Sequence, residues 1–75
     1  MTMGEVAAIG ERLRVAGLAL AGVTVHVAEE PEAVRRAWRN LSGDVAFVIV
    51  TPAAADALGP TGRESTHPLI AVMPP

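Results

Sequence analysis

Apolar and polar positions along the 75 residues change period several times, and each change marks an element. Residues 5–9 form a short apolar run closed by Gly10, which predicts a strand. After Glu11 and Arg12, the apolar positions Leu13, Ala16, Gly17 and Leu20 fall at i, i+3, i+4 and i+7, one face of a helix. Gly22 stands where a left-handed glycine would stop that helix, and Val23, Val25 and Val27 then alternate with Thr24, His26 and Ala28 as in a strand. Pro31 opens a second helix with acids at its start, Arg35, Arg36 and Arg39 toward its end, and an apolar face of Val34, Ala37, Trp38 and Leu41. The turn Ser42-Gly43-Asp44 leads into Val45-Ala46-Phe47-Val48-Ile49-Val50, an unbroken apolar run suited to a central strand covered on both faces. Thr51 and Pro52 are a cap and first-position pair opening a third helix through Leu58. Residues 59–67, rich in Gly, Pro, Ser and Thr, read as a mobile loop, and residues 69–72 as a fourth strand ended by Pro74 and Pro75.

Strands alternating with helices imply right-handed crossovers and a parallel sheet. The two most apolar strands, the first and third, belong in the middle, which gives the order 2-1-3-4. The expectation is one α/β domain over residues 1–75: a four-stranded parallel, flavodoxin-like sheet with three helices. Handedness places the first helix on one face and the other two on the opposite face. Half of the first helix's face, over strands 3 and 4, is then uncovered. Val48, Val50, Leu69 and Ala71 are the expected members of that open apolar patch, which would need covering by a second copy, a partner or a further helix.

Composition narrows the function classes. Hydrophobic residues make up 51% of the chain, too many for a disordered segment. A net charge of -2 and only 3% aromatics argue against a phosphate backbone or stacked bases as the partner, so no nucleic acid is expected. Without cysteine there is no disulfide or thiolate site, and without lysine no Schiff base and no lysine of a phosphate-binding loop. The longest uncharged stretch, residues 15–28, has 14 residues against the roughly 20 that span a bilayer. Neither membrane insertion nor a secretory signal is expected, and the cytoplasm is the default compartment.

In this strand order, ligands bind between the carboxyl ends of strands 1 and 3, here Gly10, Glu11, Arg12, Thr51 and Pro52. A phosphate-accepting receiver site needs clustered acids, an aspartate ending strand 3 and a lysine. Here Glu11 is the one acid, and Thr51 holds the aspartate's place. A dinucleotide loop needs three glycines after strand 1 and has one. His26 and His67 have no cysteine or acid pair beside them, and the hydroxyls of Thr24, Ser42, Thr51, Ser65 and Thr66 lack a positioned base. No catalytic residue, cofactor or metal is expected. Trp38 sits at core spacing, with an interface anchor as the other reading. Arg35, Arg36 and Arg39 either meet an acidic partner or form a solvated face with a Glu32–Arg36 pair.

The succession of these pieces resembles the F-subunit family of the V/A-type rotary ATPases. Residues 17–23 (GLALAGV) with Val25-His26-Val27 are similar to that family's first helix and second strand, and residues 32–38 (EAVRRAW) to its second helix. Residues 44–51 (DVAFVIVT) followed by 54–58 (AADAL) resemble its third strand and helix, and residues 67–74 (HPLIAVMP) its fourth strand. The resemblance covers nearly the whole chain. It implies a noncatalytic central-stalk subunit of a proton- or sodium-translocating ATPase or ATP synthase, cytoplasmic and peripheral to the membrane through the complex. Its partners would be the coiled-coil D-type stalk protein and other rotary-ATPase subunits, contacted through Glu11, Arg12, Thr51 and the Arg35 and Arg39 side of the second helix. Two departures stand out: the chain stops after strand 4, without the family's following helix and tail, and Glu11-Arg12 replaces a more polar, often acidic loop. The alternative is a stand-alone flavodoxin-like interaction domain that self-associates as a homo-oligomer. A third reading is a nucleotide-binding protein or enzyme using the Gly10 and Thr51 crevice.

Overall fold

A computed structural model describes residues 4–75. Its elements are β1 (Glu5–Gly10), α1 (Arg12–Val15), a 3-10 helix (Ala16–Ala21), β2 (Thr24–Val27), α2 (Pro31–Arg39), β3 (Val45–Val50), α3 (Pro52–Leu58), α4 (Pro60–Arg63) and β4 (Leu69–Val72). The strands form one parallel sheet in the order β2-β1-β3-β4, as the sequence predicts. No helix among the described residues is long and apolar enough to cross a membrane.

Alternation along the strands divides the core between two faces. Ala7 and Ile9 of β1 lie in register with Val48 and Val50 of β3. All four pack with Val34 of α2 and with Ala54 and Leu58 of α3. The intervening residue Ala8 is also fully buried, on the opposite face, where α1 and the 3-10 helix pack against β1 and β2 through the buried Val15. Val48 and Val50 are therefore not part of the open patch expected from the sequence. A bulge explains their placement: β1 moves from Glu5 to Val6 while β3 moves from Val45 to Phe47, and the extra residue Ala46 sets the phase of the rest of β3. Phe47 and Ile49 take the open face instead, beside Leu69 and Ala71.

The first helical segment departs from expectation. One α-turn ends at Val15, and the chain continues as a 3-10 helix, closed by Gly22 at φ 87° with the Gly22 N–H on the Ala19 carbonyl. Val15, at the end of α1, is fully buried, and Leu18 on the 3-10 helix is partly buried. Leu13 and Leu20, the expected apolar face, are 96% and 94% exposed. Residues 59–67 are not simply a loop, because Pro60–Arg63 forms a helical turn whose buried Gly62 rests on Leu58 and Ile70. The described residues thus hold four α-helices and a 3-10 helix rather than three helices.

Candidate functional site

The carboxyl ends of β1 and β3 meet where the crevice was expected, and the chain fills it with its own side chains. Thr51 ends β3 in extended conformation and caps α3, its Oγ1 accepting the Ala54 N–H at 3.3 Å. The same hydroxyl donates to Glu11 Oε1 at 2.5 Å, across 40 residues of sequence. A Cβ at Gly10 would collide with Thr51 Cγ2 and stand 2.7 Å from its Oγ1, so the missing side chain of Gly10 is the space that Thr51 occupies. The backbone closes the rest: Thr51 N–H bonds Ile9 O at 3.2 Å, and Ala28 N–H bonds Gly10 O at 2.9 Å. Thr51 is fully buried, so neither a substrate nor a partner reaches its oxygen, and the expectation of a partner contact there is corrected.

Glu11 is half-buried beside it. The hydroxyl of Thr51 first, and then its own backbone N–H and the charge of Arg14, outweigh desolvation and hold its carboxyl below the usual carboxylate range. Next to Glu11 is a cleft of about 60 Å³ bounded by Glu29, Glu30, Val34 and Ala54. That is far less than the ~300 Å³ at which small-molecule pockets begin. Glu29 is already occupied, accepting the Arg12 N–H at 3.1 Å and so capping α1 from the loop after β2. The Arg12 side chain remains exposed. One link here was missed in the sequence: Arg14 Nη2 donates to the carbonyl of Pro74 at 2.5 Å, tying α1 to the segment after β4.

The arginine side of α2 forms a second region. Glu32 Oε1 accepts from Arg35 Nη2 at 2.8 Å and from its Nε at 3.2 Å, and Glu32 Oε2 lies 3.7 Å from Arg39 Nη2. The expected Glu32–Arg36 pair is replaced by these i, i+3 and i, i+7 contacts. They hold the Glu32 carboxyl below its usual range, Arg35 contributing most. Arg35 Nη1 also donates to the Ala57 carbonyl at 3.3 Å, joining α2 to α3. Between the helices runs a groove of about 180 Å³ lined by Arg35, Trp38, Arg39, Leu58 and Thr61. Trp38 packs against the core, as its spacing predicts, and also lines this groove.

His26 is on β2 and His67 just before β4, the two edge strands. Three strand spacings, about 14 Å, separate those edges, too far for one metal ion to bridge. Among the described residues no group of three or more His, Cys, Asp or Glu could hold a metal. His67 Nε2 instead lies 3.5 Å from the Gly43 carbonyl.

No curated protein matches the chain. The family model described as ATP synthase (F/14-kDa) subunit matches residues 6–75, which takes in every strand and helix described above apart from Glu5, the first residue of β1. With this order of elements and a match of that extent, the chain belongs to the ATP synthase F/14-kDa subunit family.

Proposed function

We propose that this chain is a noncatalytic central-stalk component of a V/A-type proton- or sodium-translocating ATPase or ATP synthase. In this reading it docks on the coiled-coil stalk protein of that complex and reaches the membrane only through the complex. The observation that carries the reading is the filled crevice: where a sheet of this order would receive a nucleotide, Thr51 and Glu11 are bonded to each other over Gly10. What the chain offers a partner is surface. Arg39 stands exposed beside the groove at Trp38, Arg36 is exposed elsewhere on α2, and Arg12 is exposed at the carboxyl end of the sheet. Several cations near an aromatic groove suit an acidic helical surface, where electrostatic attraction speeds encounter and sets register.

The test is calorimetry against the coiled-coil stalk protein of the same complex. Arg36→Glu with Arg39→Glu is expected to weaken binding at least tenfold with an unchanged circular dichroism spectrum. Arg35 is left in place because it also holds the Ala57 carbonyl. Undiminished binding by the double variant would remove this side of α2 from the interface. Sub-millimolar binding of ATP, ADP or FMN to the chain itself would overturn the noncatalytic reading.

A further inference from the structure

The two arginines of the α2–α3 groove are held unequally. Arg35 is fixed on two sides: its Nε and Nη2 both donate to Glu32 Oε1, at 3.2 and 2.8 Å, while Nη1 donates to the Ala57 carbonyl on α3 at 3.3 Å. Arg39 has Glu32 Oε2 at 3.7 Å from its Nη2, an ion-pair distance longer than a hydrogen bond. Glu32, Arg35 and Arg39 are spaced i, i+3 and i+7, so they share one stripe of α2, and all three are exposed. Glu32 therefore stands at the end of the groove with one oxygen spent on Arg35 and the other loosely drawing Arg39.

The size and chemistry of the groove select its occupant. Its volume of about 180 Å³ is short of the ~300 Å³ at which small-molecule pockets begin, and suits a single side chain from another protein. Guanidinium groups of Arg35 and Arg39 flank it, and Trp38 and Leu58 give it apolar surface. A glutamate presented by an acidic helix complements both features, its carboxylate on the open donors of Arg39 and its methylenes beside Trp38. That carboxylate arrives next to Glu32, which carries the same charge.

We infer that Glu32 is an internal competitor for the partner's carboxylate: it holds Arg39 along α2 until a glutamate of an acidic partner helix takes the guanidinium over. The inference rests on the docking reading above and names the residue that tunes it. An exposed pair at this separation contributes little, so it exchanges readily for a close, hydrogen-bonded one. Arg35 keeps the Ala57 carbonyl in either state, and its wall of the groove stays in place. The device favours charged partners over neutral ones, because a neutral side chain offers Arg39 nothing in exchange for Glu32.

Calorimetry of the full chain against the coiled-coil stalk protein of the same complex tests this, with urea unfolding of each variant as the check on the fold. Glu32→Gln keeps the shape and removes the charge, and is expected to tighten binding about threefold, the scale of an exposed ion pair. Arg39→Gln is expected to weaken binding about tenfold. In the Arg39→Gln background, Glu32→Gln should change affinity little, because the group for which the two carboxylates compete is gone, a coupling that the double-mutant cycle reads. Unchanged or weaker binding by Glu32→Gln, with Arg39→Gln still impaired, overturns this inference and leaves docking through α2 standing. Equal tightening in both backgrounds also overturns it, since Glu32 would then act only as a general repulsive charge. Undiminished binding by Arg36→Glu with Arg39→Glu overturns the docking reading itself, and this inference with it.

Discussion

Thr51 combines three roles in one side chain: it fills the place of a Gly10 Cβ, caps α3 and donates to Glu11. Thr51→Val keeps the volume and loses both polar roles, so a cost of about 1–2 kcal/mol in urea unfolding is expected, with Thr51→Ser close to the parent. Gly10→Ala forces a methyl group into Thr51 and should cost about 1–3 kcal/mol. Because the nearest clash is with Thr51 Cγ2, Thr51→Ser in the same chain should recover part of that loss, a coupling that a double-mutant cycle reads directly. The pH dependence follows from Glu11, whose folded-state carboxyl titrates below its unfolded value. Such a group stabilises the fold fully above an ordinary carboxyl pKa of about 4.3 and loses that contribution as pH falls through the depressed folded value. The fall in urea midpoint on acidification below that pH is expected to be shallower in Thr51→Val than in the parent, since the main cause of the shift is then absent.

The segment after β1 shows how the phase of an element decides which residues matter. α1 turns Val15 inward and Leu13 outward, and Leu20 on the 3-10 helix that follows is exposed as well. Val15→Ala is expected to cost about 2 kcal/mol in chemical denaturation, and Leu20→Gln less than about 0.5 kcal/mol. The sequence pattern could not show this, because Val15, Leu18, Ala19 and Gly22 have the same i, i+3, i+4, i+7 spacing as Leu13, Ala16, Gly17 and Leu20. Where polar residues bracket an element the pattern was enough: α2, β3, α3 and β4 lie close to the expected limits, and the Thr51 cap and the Gly22 stop are where they were placed. Which way Val48 and Val50 point was not legible, since all six residues of β3 are apolar and a two-residue alternation leaves no mark on such a run. Only the bulge at Ala46 sets that phase. The α4 turn was hidden by Gly59-Pro60, which read as a break although proline also starts helices. The crevice residues were legible as neighbours. That they fill the crevice depends on a close approach of two side-chain positions, which spacing along the chain does not encode.

At the scale of the molecule, Arg35, Arg36 and Arg39 gather with the Trp38 groove on the α2 side, while the exposed Phe47 and Leu69 are on the far face of the sheet, the side that also carries α1. Docking through the α2 side should slow as salt shortens the Debye length from about 10 Å at 0.1 M to about 3 Å at 1 M. Stopped-flow association with the coiled-coil stalk protein across that salt range is the measurement. The parallel sheet carries one more consequence, a mechanical one. β1 begins at one end of the sheet and β4 finishes at the other, with β3 hydrogen-bonded between them. Tension applied at Glu5 and Val72 therefore runs along the strands and loads both ladders in shear, many hydrogen bonds at once. Tension applied across the sheet, between His26 on one edge strand and Ile70 on the other, peels those bonds one after another. Because the chain has no cysteine of its own, pairs of introduced cysteines give unique handles for optical tweezers. The lengthwise pull is expected to need the larger force, giving a domain stiff along its strand axis and weak across it.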